Sequence, residues 1–264
     1  MKRDGHIHTP YCPHGSTDTL KQYIEKAIAE NFTDITFTEH APLPQGFTDP
    51  TPDKDSGMDP DYLMPYFHEL KHLQKKYEQT IRIRIGLEVD YIAGFEKETT
   101  LFLDKYGQFL DDAILSVHFL QWQDTYVCID YSAETFLAFA DKVGSVEDVY
   151  TLYYNTVQQS IHANLGQYKP KRIGHPSLVH KFQLAHTIKI DDTARIQQVL
   201  NDMKEHGYEL DLNSAGLSKT FCKEPYPPFP LIDYAKSILL PYVFGSDAHA
   251  VVDLHQHYNV ILPK

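Results

Sequence analysis

The sequence predicts an α/β fold built on seven mainly parallel strands, either doubly wound or closed into a barrel. Three observations carry this expectation. Short segments rich in β-branched and apolar residues recur seven times along the 264 residues. The stretches between them read as amphipathic helix or long loop. Strand–helix alternation of this kind calls for right-handed crossovers between parallel neighbours.

Strands are expected near 3–8, 34–38, 82–88, 112–118, 171–175, 208–213 and 242–247. Segments 20–28, 59–77, 145–165 and 196–203 place apolar residues three and four apart, as helices with one buried face do. Segment 41–58 is loaded with proline, glycine and aspartate, and segment 214–230 carries Pro225, Pro227, Pro228 and Pro230, so both read as long loops. Each directly follows a strand, at the C-terminal end where ligand-binding loops of α/β folds gather. No repeat, low-complexity run or linker interrupts the pattern, and one domain over 1–264 is expected.

Composition narrows the class. No run of about 18 apolar residues is present, so no membrane span is expected. Met1-Lys2-Arg3-Asp4-Gly5-His6 leads into polar residues without the apolar stretch of a secretory signal, and a cytoplasmic location is expected. Cys12, Cys128 and Cys222 are far apart and odd in number, as expected of free thiols in a reducing compartment. A formal net charge of −12 opposes non-specific binding to nucleic acid, while a local basic pocket could still hold a small anion. Fifteen histidines against one tryptophan are unusual, and their positions decide what they mean.

The first strand ends His6-Ile7-His8, and alternation along a strand aims both imidazoles to one side. The last ends Gly245-Ser246-Asp247-Ala248-His249, again with two metal-ligand types two residues apart. If the sheet closes, these strands become neighbours and His6, His8, Asp247 and His249 share one rim. His40, Glu88, His118 and His175 end four of the five intervening strands, and His14 lies in the loop after the first. Nine nitrogen and carboxylate donors exceed what one tetrahedral ion requires and suit two or three ions of zinc, iron or manganese. Cys12 is not needed to complete the set and is expected to pack as a small apolar residue. His68, His72, His162, His180, His186, His206, His255 and His257 lack the strand-end placement and are expected outside the cluster.

The segments Asp4-Gly5-His6-Ile7-His8-Thr9-Pro10-Tyr11-Cys12-Pro13-His14-Gly15, Phe37-Thr38-Glu39-His40-Ala41-Pro42 and Gly86-Leu87-Glu88-Val89-Asp90 together resemble the polymerase and histidinol phosphatase (PHP) family. Ser116-Val117-His118, Gly174-His175-Pro176 and Gly245-Ser246-Asp247-Ala248-His249 extend the likeness along nearly the whole chain, and within the family it is to the bacterial histidinol-phosphatases. The resemblance implies a distorted seven-stranded (β/α)7 barrel with a trinuclear site. It implies one ion on His6, His8, Glu88 and Asp247, a second on His118 and His175 bridged by Glu88, and a third on His14, His40 and His249. Asp4, read as sharing a strand face with His6 and His8, and Glu39 beside His40 are expected to orient imidazoles.

The same resemblance implies hydrolysis of L-histidinol phosphate to L-histidinol and phosphate, with hydroxide generated on the ions as nucleophile. Asp247, Glu88 and His249 are the expected catalytic residues, and Asp247 could both bind metal and shuttle a proton. Relatives often carry an arginine just past an Asn-Ser/Thr-Ala-Gly-Leu stretch. This chain reads Asn213-Ser214-Ala215-Gly216-Leu217-Ser218-Lys219, and Lys219, helped by Lys181, is the expected phosphate contact. Arg172 is expected to pack or pair inside its strand. Tyr11, Phe47 and Phe221 are expected in the wall of the substrate pocket. The expected partner is a small phosphomonoester, with no nucleic acid and no membrane. Two other readings are a metal-dependent nuclease or phosphodiesterase, which the acidic charge opposes, and a metal-binding module without activity, which the full ligand set opposes.

Overall fold

The structure is a computed structural model that describes residues 2–263. Seven parallel strands form one sheet in the order β1 (Arg3–Ile7), β2 (Asp34–His40), β3 (Arg82–Asp90), β4 (Asp112–Ser116), β7 (Arg172–Ile173), β8 (Glu209–Asn213) and β9 (Tyr242–Gly245). The sheet closes just beyond β9, where Ile7 bridges Ala248 in parallel. There the Asp247 amide donates to His6 O at 2.8 Å and the His8 amide to Ala248 O at 2.9 Å. The result is the distorted (β/α)7 barrel that the family resemblance implies, and it decides between the closed and doubly wound alternatives. The fifth barrel strand is cut to two residues, where the sequence suggests 171–175.

Helices cover the outside: α1 (Leu20–Ala29), α2 (Leu63–Tyr77), α3 (Glu96–Tyr106), α4 (Ala133–Val143), α5 (Val146–His162), α6 (Thr193–Glu205), α7 (Phe229–Ser237) and the short α8 (Tyr258–Ile261). Thr19 and Gln22 close a capping box at the start of α1, and Ser145 caps α5 through the Asp148 amide. Strands enclosed this way are buried on both faces. In β3, Ile83, Ile85, Leu87 and Val89 pack in the apolar core, while the alternate positions Arg84, Gly86, Glu88 and Asp90 form the other row. Among the described residues no helix is long and apolar enough to cross a membrane.

A hairpin absent from the sequence reading, β5 (Phe119–Trp122) and β6 (Thr125–Cys128), follows β4 directly. It turns through Gln123, whose φ of 53° is left-handed, and it delivers Asp130 and Tyr131 to the mouth of the barrel. Phe119 packs with Ile92, Cys128 and Phe47.

At the opposite end Arg172 is fully buried and donates to Asp112 Oδ2 at 2.7 Å, the ion pair expected of it. Arg3 and Thr36 share that carboxylate, and Arg84 pairs with Asp34. β1 slips by one residue against β2 between Asp4 and Ile7, a bulge that sets Gly5 against this network. A Cβ on Gly5 would lie 2.1 Å from Arg172 Nη1 and 2.5 Å from Val243 Cγ1. Gly5→Ala is therefore expected to lose about 1–3 kcal/mol or more through overpacking, read as a lower urea midpoint at unchanged m-value. A midpoint equal to the parent's would contradict the packing described.

Candidate metal centre

Glu88 sits at the centre of the C-terminal rim and is 1% exposed. Its Oε2 lies 3.3 Å from His6 Nε2, 3.5 Å from His8 Nε2 and 3.2 Å from His40 Nδ1. Its Oε1 lies 3.0 Å from His175 Nε2 and 3.8 Å from His118 Nε2, and accepts from Ser116 Oγ at 2.6 Å. One carboxylate thus turns an oxygen to each of two donor groups. Gly174 makes room for this, since a Cβ there would lie 2.0 Å from Ser116 Oγ.

Asp247 completes the first group, with Oδ1 at 3.2 Å from His8 Nε2 and 3.7 Å from His6 Nε2. It reaches them because its backbone is left-handed, at φ 52°, a conformation that aspartate tolerates better than most residues. Asn213 Nδ2 donates to its other oxygen at 3.2 Å. His249 stacks on His8 at 3.9 Å between ring centroids. His14 lies 5.2 Å from both His40 and His249 by the same measure, and its Nδ1 donates to Asp55 O at 2.9 Å. All nine residues expected at the rim are brought to it. Cys12, expected only to pack, is indeed buried, but its thiol also falls within 4.8 Å of donor atoms of His8, His40 and His249.

Behind the rim, carboxylates hold the far nitrogens of three imidazoles. His6 Nδ1 donates to Asp211 Oδ2 at 2.8 Å, His118 Nδ1 to Asp90 Oδ1 at 2.7 Å and His8 Nδ1 to Glu39 Oε1 at 3.2 Å. Each bond keeps a proton on Nδ1 and turns Nε2 toward the centre, where it takes a metal ion when one is bound and a proton when none is. The Nε2 atoms of His6 and His8 then face each other at 3.3 Å. Two lone pairs at that distance repel unless a cation or proton lies against them, so the donor set fits divalent ions.

Glu39 plays the orienting part expected of it, and Asp4 does not. The bulge in β1 places Asp4 on the face opposite His6 and His8. Its carboxylate accepts instead from the Ser246 amide at 3.0 Å and from His255 Nδ1 at 2.8 Å. Asp211 and Asp90 were missed by sequence reasoning, although each lies two residues from a position already singled out, Asn213 and Glu88, where alternation returns to the same face.

Burial alone would raise the Glu88 carboxyl, but the imidazoles of His6 and His118 outweigh it and hold the group well below the usual range. Burial would likewise lower His118, and Asp90 with Glu88 pushes it up to about 10 instead. His40 and His249 are held well below the ordinary imidazole value, first by burial and then by the charge of His8.

The cluster floors a cavity of about 480 Å³. Lys181 and Lys219 both line it, as do Asp55, Asp130 and Asp253. Lys181 Nζ donates to Asp130 Oδ2 at 2.9 Å. The two proline-rich loops contribute walls, as expected, through Thr51, Ser56, Ser218 and Tyr226. The aromatic residues named for those walls do not. Tyr11 packs on Tyr66 and bonds Glu69, Phe47 is held among Phe95, Phe119 and Tyr126, and Phe221 is an exposed residue outside the lining. Phe119, Tyr131 and Tyr226 stand there instead. Loop side chains carry no period from which a wall could be read. The eight histidines left out of the cluster lie elsewhere: His68 and His72 on α2, for example, and His162 with His206 around Asp202.

The PHP domain model matches residues 4–215. The histidinol-phosphatase of Bacillus subtilis (strain 168) is 51% identical over 100% of this chain and 99% of its own. The crystal structure of a candidate histidinol phosphatase from Listeria monocytogenes superposes with a TM-score of 0.94 at 39% identity, covering 98% of this chain and 99% of that one. Histidinol phosphate phosphatase from Lactococcus lactis, crystallised with zinc, L-histidinol and phosphate, shares the fold at a TM-score of 0.73 and 21% identity, over 98% and 92% of the two chains. The chain belongs to the PHP domain family.

Proposed function

We propose that this protein is a metal-dependent phosphomonoesterase that hydrolyses L-histidinol phosphate to L-histidinol and phosphate, a step of histidine biosynthesis. The observation that carries the reading is the buried Glu88 carboxylate set between two groups of imidazoles at the floor of a cavity lined by two lysines. The full-length likeness to the Bacillus subtilis enzyme supplies the substrate.

The residues fit two or three ions of zinc, iron or manganese. His6, His8 and Asp247 form one donor group and Glu88, His118 and His175 a second, with Glu88 shared. We assign His14, His40 and His249 to the third position, with the Cys12 thiol as a further donor beside it. When bound, such ions stabilise charge on phosphoryl oxygens and lower the pKa of bound water to around 7.

The chain's own residues do the rest. Lys219 is exposed at the cavity and free of carboxylate partners among the described residues, so it can meet a phosphoryl oxygen as a point charge. Lys181 reaches the cavity beside Asp130, and burial, which would lower it, is overcome by that carboxylate, keeping the ammonium charged. Asp247, held at one oxygen by Asn213, is our choice to pass a proton from the attacking water to the leaving alcohol. The acidic residues Asp55, Asp130 and Asp253, with Tyr131, Tyr226 and Phe119, suit the ammonium and imidazole of histidinol.

Three outcomes test this. Glu88→Gln and His118→Asn are each expected to lower kcat/KM for histidinol phosphate at least about 100-fold with the far-UV spectrum intact, and near-parental turnover in either removes the shared-carboxylate reading. Asp211→Asn, which touches no substrate, is expected to weaken divalent-metal affinity about 10–100-fold, measured by competition with a chelator. An unchanged affinity would leave Asp211 a packing residue. For the Lys219→Ala, Lys181→Ala double variant, kcat/KM is expected to fall about 10-fold or more at constant metal content. Parental kinetics would mean that the phosphate is held without either lysine.

A further inference from the structure

His180 is buried and lies outside the metal cluster, yet both of its ring nitrogens meet carboxylates. Nδ1 is 2.6 Å from Glu224 Oε1 and Nε2 is 2.7 Å from Asp192 Oδ2. An imidazole satisfies two carboxylates at these distances only with a proton on each nitrogen. The neutral ring would turn a lone pair toward one of them. The groups around it come from four elements. Tyr150 and Tyr154 belong to α5, the former stacked on the ring and the latter donating to Asp192. Asp192 stands at the start of α6, Glu224 and Cys222 lie in the loop after β8, and Lys181 is the next residue of its own turn, Leu178–Phe182.

The turn and the loop are the two segments that carry the cavity lysines. Backbone and side-chain bonds already run between them: Leu184 N donates to Phe221 O at 2.9 Å and Gln183 Nε2 to Cys222 O at 2.9 Å. Lys219 and Lys223 amides both return to Gly216 O, so the loop is folded on itself into one piece. The charged bond from the buried His180 to the half-buried Glu224 adds an ion pair between this loop and the turn.

We propose that His180 is a positioning residue for phosphate binding, an imidazolium clamp that holds the Lys181 turn and the Lys219 loop at a fixed separation across the cavity. The proposal rests on the assignment of those lysines to the phosphate. The clamp also has a pH range. Burial would lower the His180 imidazole, and the bonds to Asp192 and Glu224 outweigh it and push it up to about 9. The ring is therefore charged at neutral pH and loses its second proton as pH rises through that value. Asp192 is held below the usual carboxylate range and both tyrosines are pushed above the usual phenol value, so neither changes charge over the same interval.

The test uses the metal-loaded enzyme and inorganic phosphate as competitive inhibitor, whose charge is constant between about pH 8 and 10.5, for the parent, Lys181→Ala, His180→Gln and Glu224→Gln. His180→Gln is expected to weaken the inhibition constant about 10-fold at pH 7.5 without loss of bound metal, the size of one charge-assisted bond. In the parent, inhibition weakens as pH passes about 9. Glu224→Gln shifts that alkaline limb to lower pH, because one of the two carboxylates holding the proton is gone, and this variant carries the test should His180→Gln fail to fold. A purely structural His180 would lower the melting temperature and leave the limb in place. Parental inhibition and an unmoved limb, with Lys181→Ala weakened, would overturn the clamp alone. No effect of Lys181→Ala would overturn the lysine assignment, and the clamp with it.

Discussion

A carboxylate taken out of water is unstable unless positive charge or hydrogen-bond donors surround it, and Glu88 is buried almost completely. Much of the barrel's upper half follows from that requirement. Five imidazoles and the Ser116 hydroxyl converge on its two oxygens from β1, β2, β4 and the segments that follow β1, β4 and β7. No single strand could supply them. A closed parallel sheet can, because each strand delivers its C-terminal end to the same rim. The backbone adjusts to the same need: Gly174 yields space to Ser116, and Asp247 takes a left-handed conformation to face His6 and His8.

The lower half meets the converse problem with the opposite charge. Arg172 is fully buried, and Asp112 answers it while also holding Arg3 and Thr36. Between the two layers stands Asp211, which binds the His6 ring above and feels Arg172 below. The barrel interior is thus a stack of polar groups, and the apolar core lies outside it, between strands and helices. Three rim imidazoles, those of His6, His8 and His118, are held at the far nitrogen by a carboxylate that the barrel itself anchors, which aims the near nitrogen at the centre.

What could be read in advance followed local rules. The two-residue period of strands made His6, His8 and Asp247 legible, strand-end placement made Glu88 legible, and strand–helix alternation made the parallel sheet legible. The same period, applied to Glu88 and Asn213, reaches Asp90 and Asp211. What broke the rules was hidden. The bulge in β1 sets Gly5 against Arg172, a contact across 167 positions of chain, and it carries Asp4 to the other face. The β5–β6 hairpin occupies a stretch too short to show a period beside the strand before it. The cavity wall depends on which loop side chains happen to face inward, so Tyr131 and Tyr226 stand where Tyr11, Phe47 and Phe221 were expected. The His180 clamp joins residues 12 and 44 positions apart, and no motif announces it.

Anomalous diffraction from crystals grown with manganese, recorded on either side of an absorption edge of that metal, tests whether Glu88 is shared between two metal positions. A shared Glu88 gives separate anomalous peaks on the two sides of its carboxylate, one against His6, His8 and Asp247 and the other against His118 and His175. A single peak that leaves one Glu88 oxygen bound only to protein, or peaks confined to other histidines, would contradict it.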